Sequence, residues 1–198
     1  ILTNDAALQN EALKGMLESG FVPASQQGQF NTIVANNELS AKNYDSALAY
    51  AQKAEALGYK PDQVAPILAQ AIWGNAKGNP AEVARGLDMF KKGIDAMKAA
   101  ATPVPSQWYQ VAVQKASEAN LPQIRDWAAM AFDADASGEN LRTILRVLQR
   151  DNPTMTNREN LDLLRLMRFS GGLAIKADYL EYAEMALKGG IYGEAKSV

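Results

Sequence analysis

Six of the chain's eight arginines lie in its last third, and their types and spacing could bind an anionic group. They are Arg142, Arg146, Arg150, Arg158, Arg165 and Arg168. The first three recur every fourth residue, so on a helix they share one face. A guanidinium pairs with two oxygens of a carboxylate or a phosphate at once. The stripe therefore indicates either an anion-binding face or a solvated face whose arginines pair with partners such as Glu139 and Glu159.

Catalytic chemistry has little support in the residue types. The 198 residues include no histidine and no cysteine, which removes the side chain that titrates near neutral pH, the thiolate nucleophile and the usual zinc ligands. Acidic residues are scattered, and the serines lack both a Gly-x-Ser-x-Gly elbow and a histidine base, although a lysine base stays open. We therefore predict that the protein is not an enzyme and takes no cofactor and no metal.

Two segments come close to known ligand-binding motifs. Residues 190–197 resemble a phosphate-binding loop, but Ala195 replaces its second glycine and a helix, rather than a buried strand, is expected before it. Residues 133–138 match the first half of a calcium loop, but Ile144 replaces its bidentate glutamate. A turn between helices is the better interpretation of the first segment. For the second we predict a helix end capped at Gly138.

Overall charge and hydropathy narrow the classes of partner. The formal net charge is -2 and the pI is about 5.3, so no overall field attracts nucleic acid or anionic lipid. No run approaches the roughly 20 apolar residues that cross a bilayer. We therefore expect no nucleic acid and no membrane span. Apolar residues make up 47% of the chain, which is enough for a core.

The apolar residues recur at the spacing of helices, and clusters of Gly, Pro, Asn and Ser separate them into segments of helical length. This pattern predicts an all-α chain that begins with a lone helix at residues 5–19. Five hairpins follow, at about residues 25–58, 62–100, 105–136, 139–169 and 177–198. Because one hairpin cannot bury its own apolar face, we expect a single repeat array over residues 1–198, as a fragment of a longer chain.

Small residues recur at a nearly constant interval. Ala35, Gly74 and Ala112 are 39 and 38 residues apart, and each is followed 12 residues later by a second set on the next helix. These sets are Ala47, Ala51 and Ala54, then Gly86, Phe90 and Gly93, then Ile124, Ala128 and Ala131. A degenerate pair with Leu148 at the small position continues the period. The interval predicts helices that cross closely at these residues, in hairpins stacked in phase.

This pattern resembles the tetratricopeptide repeat, although its period exceeds the usual 34 residues or so and Trp73 replaces the family's leucine. The best matches are Tyr44 with Ala47, Ala51 and Ala54; Gly74 with Gly86 and Phe90; Trp108 with Ala112; and Tyr179, Ala183, Gly190, Tyr192 and Ala195. The resemblance implies an α-solenoid of antiparallel helix hairpins, wound into a right-handed superhelix. Its first helices would line a concave groove.

The resemblance further implies a non-catalytic scaffold that binds a protein or a peptide in that groove. Some family members hold a peptide's terminal carboxylate with a fixed set of groove residues. The positions of that set carry Ala71, Asn75, Gln110, Arg142 and Arg146 here, so the basic pair and one Asn match while the family's lysine is missing. The predicted groove residues are Asn36, Asn75, Tyr109, Gln110, Arg142 and Arg146.

Two other functions stay open at this point. One is a helical-toroid enzyme fragment, or an accessory region of a larger enzyme, with two carboxylates in a deep cavity. The other is an array that self-associates through its end hairpins. The alanine-rich repeats resemble those of exported bacterial proteins, which favours an exported or periplasmic location, with the cytoplasm as the alternative.

Overall fold

A computed structural model describes the backbone of residues 2–198 and the side chains of residues 7–198. These residues form eleven α-helices and no β-strand, so the predicted all-α class is confirmed. The helices are α1 Leu2–Glu18, α2 Ala24–Ser40, α3 Tyr44–Ala56, α4 Pro61–Asn75, α5 Pro80–Ala99, α6 Ser106–Glu118, α7 Ile124–Ala134, α8 Gly138–Asp151, α9 Asn157–Phe169, α10 Lys176–Lys188 and α11 Tyr192–Lys196. None of these helices is both long and apolar enough to cross a membrane.

Local sequence signals fix several helix ends. The Asn79 side chain accepts a hydrogen bond from the amide of Ala81, and Pro80 is the first residue of α5, where its missing N–H is not needed. Thr156 and Glu159 cap the start of α9 reciprocally. After α3, Gly58 has a φ of +68°, a left-handed conformation that glycine adopts without strain. Such signals place the helices close to the segments that the sequence predicts.

The chain divides into two compact units. The first comprises the residues up to Val104 with Glu118–Leu121, and the second comprises Pro105–Ser117 with Pro122–Val198. In the first unit α1 packs on α2, α2 on α3 and α4, α3 on α4, and α4 on α5. In the second, α7 packs on α8, α8 on α9, α9 on α10, and α10 on α11. Neighbouring helices thus pack in adjacent pairs, as in a helical repeat.

Small residues make the close helix contacts of the first unit. Ala35 on α2 is fully buried, as are the alanines predicted to face it, Ala47, Ala51 and Ala54. A Cβ on Gly74 would lie 2.2 Å from the Tyr44 ring, and one on Gly86 would lie 2.2 Å from the Trp73 indole. The prediction that small residues lie where helices approach closely is therefore confirmed at these positions.

The second unit has an apolar core of its own. Its buried members come from α8, α9, the connection to α10, and α10 itself: Leu145, Leu161, Leu164, Met167, Leu173, Tyr182 and Ala186. Leu148, which replaces a small residue in the repeat pattern, is half-buried against this core. The core thus joins α8, α9 and α10 within the second unit.

Candidate binding surfaces

The first unit holds two of the six predicted groove residues. Asn36 is exposed on α2, and Asn75 is half-buried as the last residue of α4. The side-chain Nδ2 of Asn75 donates a hydrogen bond of 2.9 Å to Asp45 Oδ1 on α3. Because α2 and α4 contact each other, the two residues lie on neighbouring helices of one unit.

Two further predicted residues, Tyr109 and Gln110, are consecutive on α6 and differ in exposure. Gln110 is exposed, whereas Tyr109 is only 2% exposed. The reason lies in helical spacing: Ala112 and Ala116 follow Tyr109 by three and seven residues and are themselves fully buried. Tyr109 therefore lies on the packed face of α6, and Gln110 offers the accessible side chain.

The remaining two, Arg142 and Arg146 on α8, bind one buried carboxylate on α10. Arg142 donates from Nε to Asp178 Oδ2 at 2.9 Å and from Nη2 to Asp178 Oδ1 at 3.0 Å. Arg146 donates from Nη2 to Asp178 Oδ1 at 2.7 Å, and from Nη1 to Glu181 Oε2 at 2.6 Å. The Asp178 side chain is 2% exposed, against 27% and 29% for the two arginines. The three residues tie α8 to α10.

Opposing effects set the pKa of Asp178. Burial alone raises it, but the hydrogen bonds from Arg142 and Arg146 and from the backbone amides of Ala174 and Ile175 outweigh burial. These amides donate to Asp178 Oδ2 at 3.1 and 3.3 Å. The pKa of Asp178 is therefore held well below its ordinary range, and the carboxylate stays charged against both guanidinium groups.

The anion-binding chemistry inferred for the arginine stripe is present, but the carboxylates belong to the chain itself. The carboxylates of Asp178 and Glu181 lie 32 to 36 residues after the arginines with which they pair. Glu159, one of the partners considered from the sequence, instead accepts hydrogen bonds from the Thr156 amide and hydroxyl. A peptide carboxylate at Arg142 and Arg146 would have to displace Asp178. That contact stays a prediction.

A second arginine contact attaches the last helix, α11. Arg165 on α9 donates to both carboxylate oxygens of Glu194 at 2.8 and 2.6 Å, and the Tyr182 hydroxyl also donates to Glu194. The hydrogen bond from Arg165, followed by that from Tyr182, lowers the pKa of Glu194 to about 2. Residues 190–197 thus form a turn and a short helix after α10, as the preferred interpretation of this segment expects.

The prediction of a helix end capped at Gly138 is wrong, because Gly138 begins α8. Ser137 is the N-cap, and its hydroxyl accepts a hydrogen bond from the backbone N–H of Asn140. A Cβ at Gly138 would lie 2.6 Å from the carbonyl oxygen of Ser170, so close packing explains the glycine. Among the residues whose side chains are described, no group of three or more acidic residues is arranged to hold a metal ion.

One face of α2 is exposed, free of charge and, apart from Ile33, polar. Its residues repeat at spacings of three and four, which places them on one side of the helix: Gln26, Gln29, Ile33, Asn36 and Ser40. The single charged residue of α2, Glu38, is 3% exposed and lies on another side. On α4 the single charged residue is Asp62, while Gln63 and Gln70 are exposed seven residues apart. Only Asn36 of this face was predicted, although the scarcity of charge in both helices is visible in the sequence.

The chain matches no known protein-family model and no curated protein. Its likeness to the tetratricopeptide repeat therefore rests on its own residue pattern and on the packing of neighbouring helices.

Proposed function

We propose that this chain is a non-catalytic scaffold of the tetratricopeptide type, which binds a protein or peptide partner along α2 and α4. In this proposal the adjacent helices are antiparallel hairpins stacked as an α-solenoid, and α2 and α4 are the first helices of successive hairpins. The direct contact between α2 and α4 supports it, since stacked hairpins bring their first helices together. The buried alanines and glycines at the helix contacts support it as well.

The observation that carries the proposal is the uncharged face of α2. Protein surfaces ordinarily carry many Lys, Glu, Asp and Arg side chains, whereas the cores of binding interfaces are depleted of charge. The side-chain amides of Gln26, Gln29 and Asn36 each have a donor and an acceptor. They can therefore bind the N–H and C=O groups of a peptide backbone without an unpaired charge being taken out of water.

The dimensions of this face suit an extended peptide. Gln29 and Asn36 are seven residues apart, as are Gln63 and Gln70 on α4, which on a helix corresponds to about 10 Å. Three residues of extended chain span about the same length. Ile33, which is 39% exposed between the two amides of α2, would contact an apolar side chain of the peptide. The partner is thus recognised by main-chain hydrogen bonds around one apolar contact.

The arginine pair has a structural part in this proposal. Arg142 and Arg146 already hold Asp178 through three hydrogen bonds, and a partner that released Asp178 would leave a buried carboxylate without its counter-charges. We therefore place the partner on α2 and α4 rather than on α8.

Selection of peptides from a displayed random library, with the parent protein as bait, tests the proposal. The affinity of an enriched peptide is then compared between the parent and the double variant Gln29→Arg, Asn36→Arg. We expect the variant to bind at least about tenfold more weakly, about 1.4 kcal/mol, because two charges then face the peptide backbone. Gln52→Arg, at an exposed position on α3, is the matched control and should bind as the parent does.

The proposal fails if no peptide is enriched on the folded parent. It also fails if the enriched peptides bind the double variant and the parent equally. All of the substituted side chains are exposed, so circular dichroism should show an unchanged helix content in every variant.

A further inference from the structure

A cavity of about 300 Å³ within the first unit is lined by residues from the end of α3, from α4 and from α5. Because α4 contacts both α3 and α5, which do not contact each other in the described part of the chain, the cavity extends from α3 across α4 to α5. Its volume lies at the lower end of the range of small-molecule sites. On α4, Leu68 of this cavity lies roughly 160° from Gln70, at 100° a residue. The cavity is therefore distinct from the surface to which the proposed function assigns the partner.

The walls of the cavity are mainly apolar. Val64, Ala65 and Leu68 on α4 are at most 5% exposed and close its floor. Tyr59 is half-buried and Pro61 is exposed, so these two rings are the apolar surfaces that a ligand can reach. Water against such surfaces is poorly ordered, and an apolar group that displaces it gains affinity. The cavity therefore favours a ligand with apolar side chains.

Two side chains of opposite charge also line the cavity, Glu55 from α3 and Lys92 from α5. Both residues are exposed, and neither forms an ion pair with another described residue. A Cβ on Gly93, which follows Lys92, would lie 3.0 Å from the Pro66 ring, so this part of α5 packs directly on α4. Because Glu55 and Lys92 belong to the helices on either side of α4, a ligand in the cavity meets an anion at one end and a cation at the other.

We infer that this cavity binds a short apolar peptide whose two termini are free. Its ammonium group faces Glu55, its carboxylate faces Lys92, and its side chains pack against Tyr59 and Pro61. A sphere of this volume is about 8 Å across, and two residues of extended chain span about 7 Å, so a dipeptide is long enough to bring one charge to each side. A single amino acid is too short, since both of its charged groups are attached to one carbon. The site goes beyond the proposed function, because its ligand is a small molecule in a separate cavity.

A titration of the ¹⁵N-labelled protein with leucyl-leucine, followed by NMR, tests this inference. We expect the largest shifts at the residues of α3, α4 and α5 that line the cavity. Acetyl-leucyl-leucine lacks the ammonium group, leucyl-leucine amide lacks the carboxylate, and free leucine cannot span the cavity, so each should bind at least about tenfold more weakly. Equal affinity for any of these three compounds overturns the inference. The absence of shifts in the cavity at millimolar leucyl-leucine overturns it as well, and so do shifts that centre on Gln29 and Asn36 instead.

Charge reversal tests the two ends of the site. We expect Glu55→Lys and Lys92→Glu each to bind leucyl-leucine at least about tenfold more weakly than the parent, because each places a like charge against one terminus. The double variant should bind more tightly than either single variant, since the peptide then binds in the reverse direction. Lys77→Glu, at an exposed position after α4, makes the same change of charge away from the cavity and should bind as the parent does.

Unchanged affinity in either single variant overturns the inference, and so does a double variant that binds no more tightly than the single variants. The substituted side chains are exposed, so circular dichroism should show an unchanged helix content. Where a variant does not fold, the series of leucine compounds on the parent still decides.

Discussion

Gly74 shows how a single missing Cβ sets the distance between two helices. A Cβ at this position would lie 2.2 Å from the Tyr44 ring, so we expect Gly74→Ala to lower the free energy of unfolding by about 1–3 kcal/mol through overpacking. Gly15, within α1, has no atom within 4 Å of where its Cβ would be. Gly15→Ala is therefore the control and should raise the free energy of unfolding by about 0.5–1 kcal/mol. Urea unfolding measures both, and a stabilised Gly74→Ala would contradict the packing.

The residue scale also shows what the sequence could predict. The burial of Ala35 and the close packing of Gly74 against Tyr44 follow from their regular interval, and the burial of Tyr109 could have been read from its spacing to Ala112. The burial of Asn31 was not predicted, although this residue precedes Ala35 by four positions and so lies on the same packed face of α2. The pairing of Arg142 with Asp178 was not predictable, because 36 residues separate them and several other carboxylates were equally eligible.

At the scale of elements, the contact between α8 and α10 should weaken in acid. The pKa of Asp178 is lower in the folded than in the unfolded state, so its stabilisation is complete above about pH 4, decreases as the pH falls below that value, and is lost only as the pH falls through the folded pKa. We expect Asp178→Asn to lose on the order of 3 kcal/mol of unfolding free energy at pH 7 and less at pH 2.5, where the carboxyl of the unfolded chain is already protonated. Urea unfolding at the two pH values measures this.

The control for that experiment is Glu181→Gln, because the Glu181 side chain is 33% exposed and a partly solvated ion pair contributes about 1 kcal/mol or less. A difference between Asp178→Asn and the parent that is the same at pH 7 and pH 2.5 would show that the carboxylate charge is not what ties α8 to α10.

One of the contacts that attach helix α1 to the rest of the first unit is a buried carboxylate, Glu38. It accepts hydrogen bonds from Asn10 on α1 and Asn43 before α3, and its Oε1 is 2.8 Å from Lys14 Nζ. We expect Glu38→Gln to speed amide hydrogen exchange in α1 about tenfold, because the ion pair with Lys14 is lost. In the control Glu11→Gln, Lys14 loses its other ion-pair partner, Glu11, whose side chain is 70% exposed. This variant should change the exchange rates of α1 little. Equal exchange in both variants would rule out this attachment.

Helix positions were more predictable than helix contacts. The hairpin expected at residues 62–100 contains α4 Pro61–Asn75 and α5 Pro80–Ala99, because Pro and Gly act locally and mark the ends of both helices. The lone helix expected at residues 5–19 is α1 Leu2–Glu18. The attachment of α1 through Glu38 depends on side chains from three separate segments, and no local pattern records it.

At the scale of the whole molecule, the division into two compact units predicts that a destabilising substitution affects only the unit in which it lies. Energetic coupling in helical arrays runs mainly between neighbouring helices. We therefore expect Gly74→Ala to speed hydrogen exchange in α3 to α5 and to leave α8 to α11 unchanged. Asp178→Asn should speed hydrogen exchange in α8 to α11 and leave α3 to α5 unchanged. The expectation is contradicted if either substitution speeds exchange equally throughout the described helices.

The central claim for the molecule is that a partner binds the uncharged face of α2. The most direct measurement replaces Ile33 with a photocrosslinking benzoylphenylalanine and exposes the protein to a peptide enriched on the parent. Benzoylphenylalanine at Gln52, on α3, is the control at a second exposed position. The proposal predicts a covalent adduct with the peptide at position 33 and none at position 52. An adduct at position 52 alone, or at neither position while the peptide still binds, would contradict it.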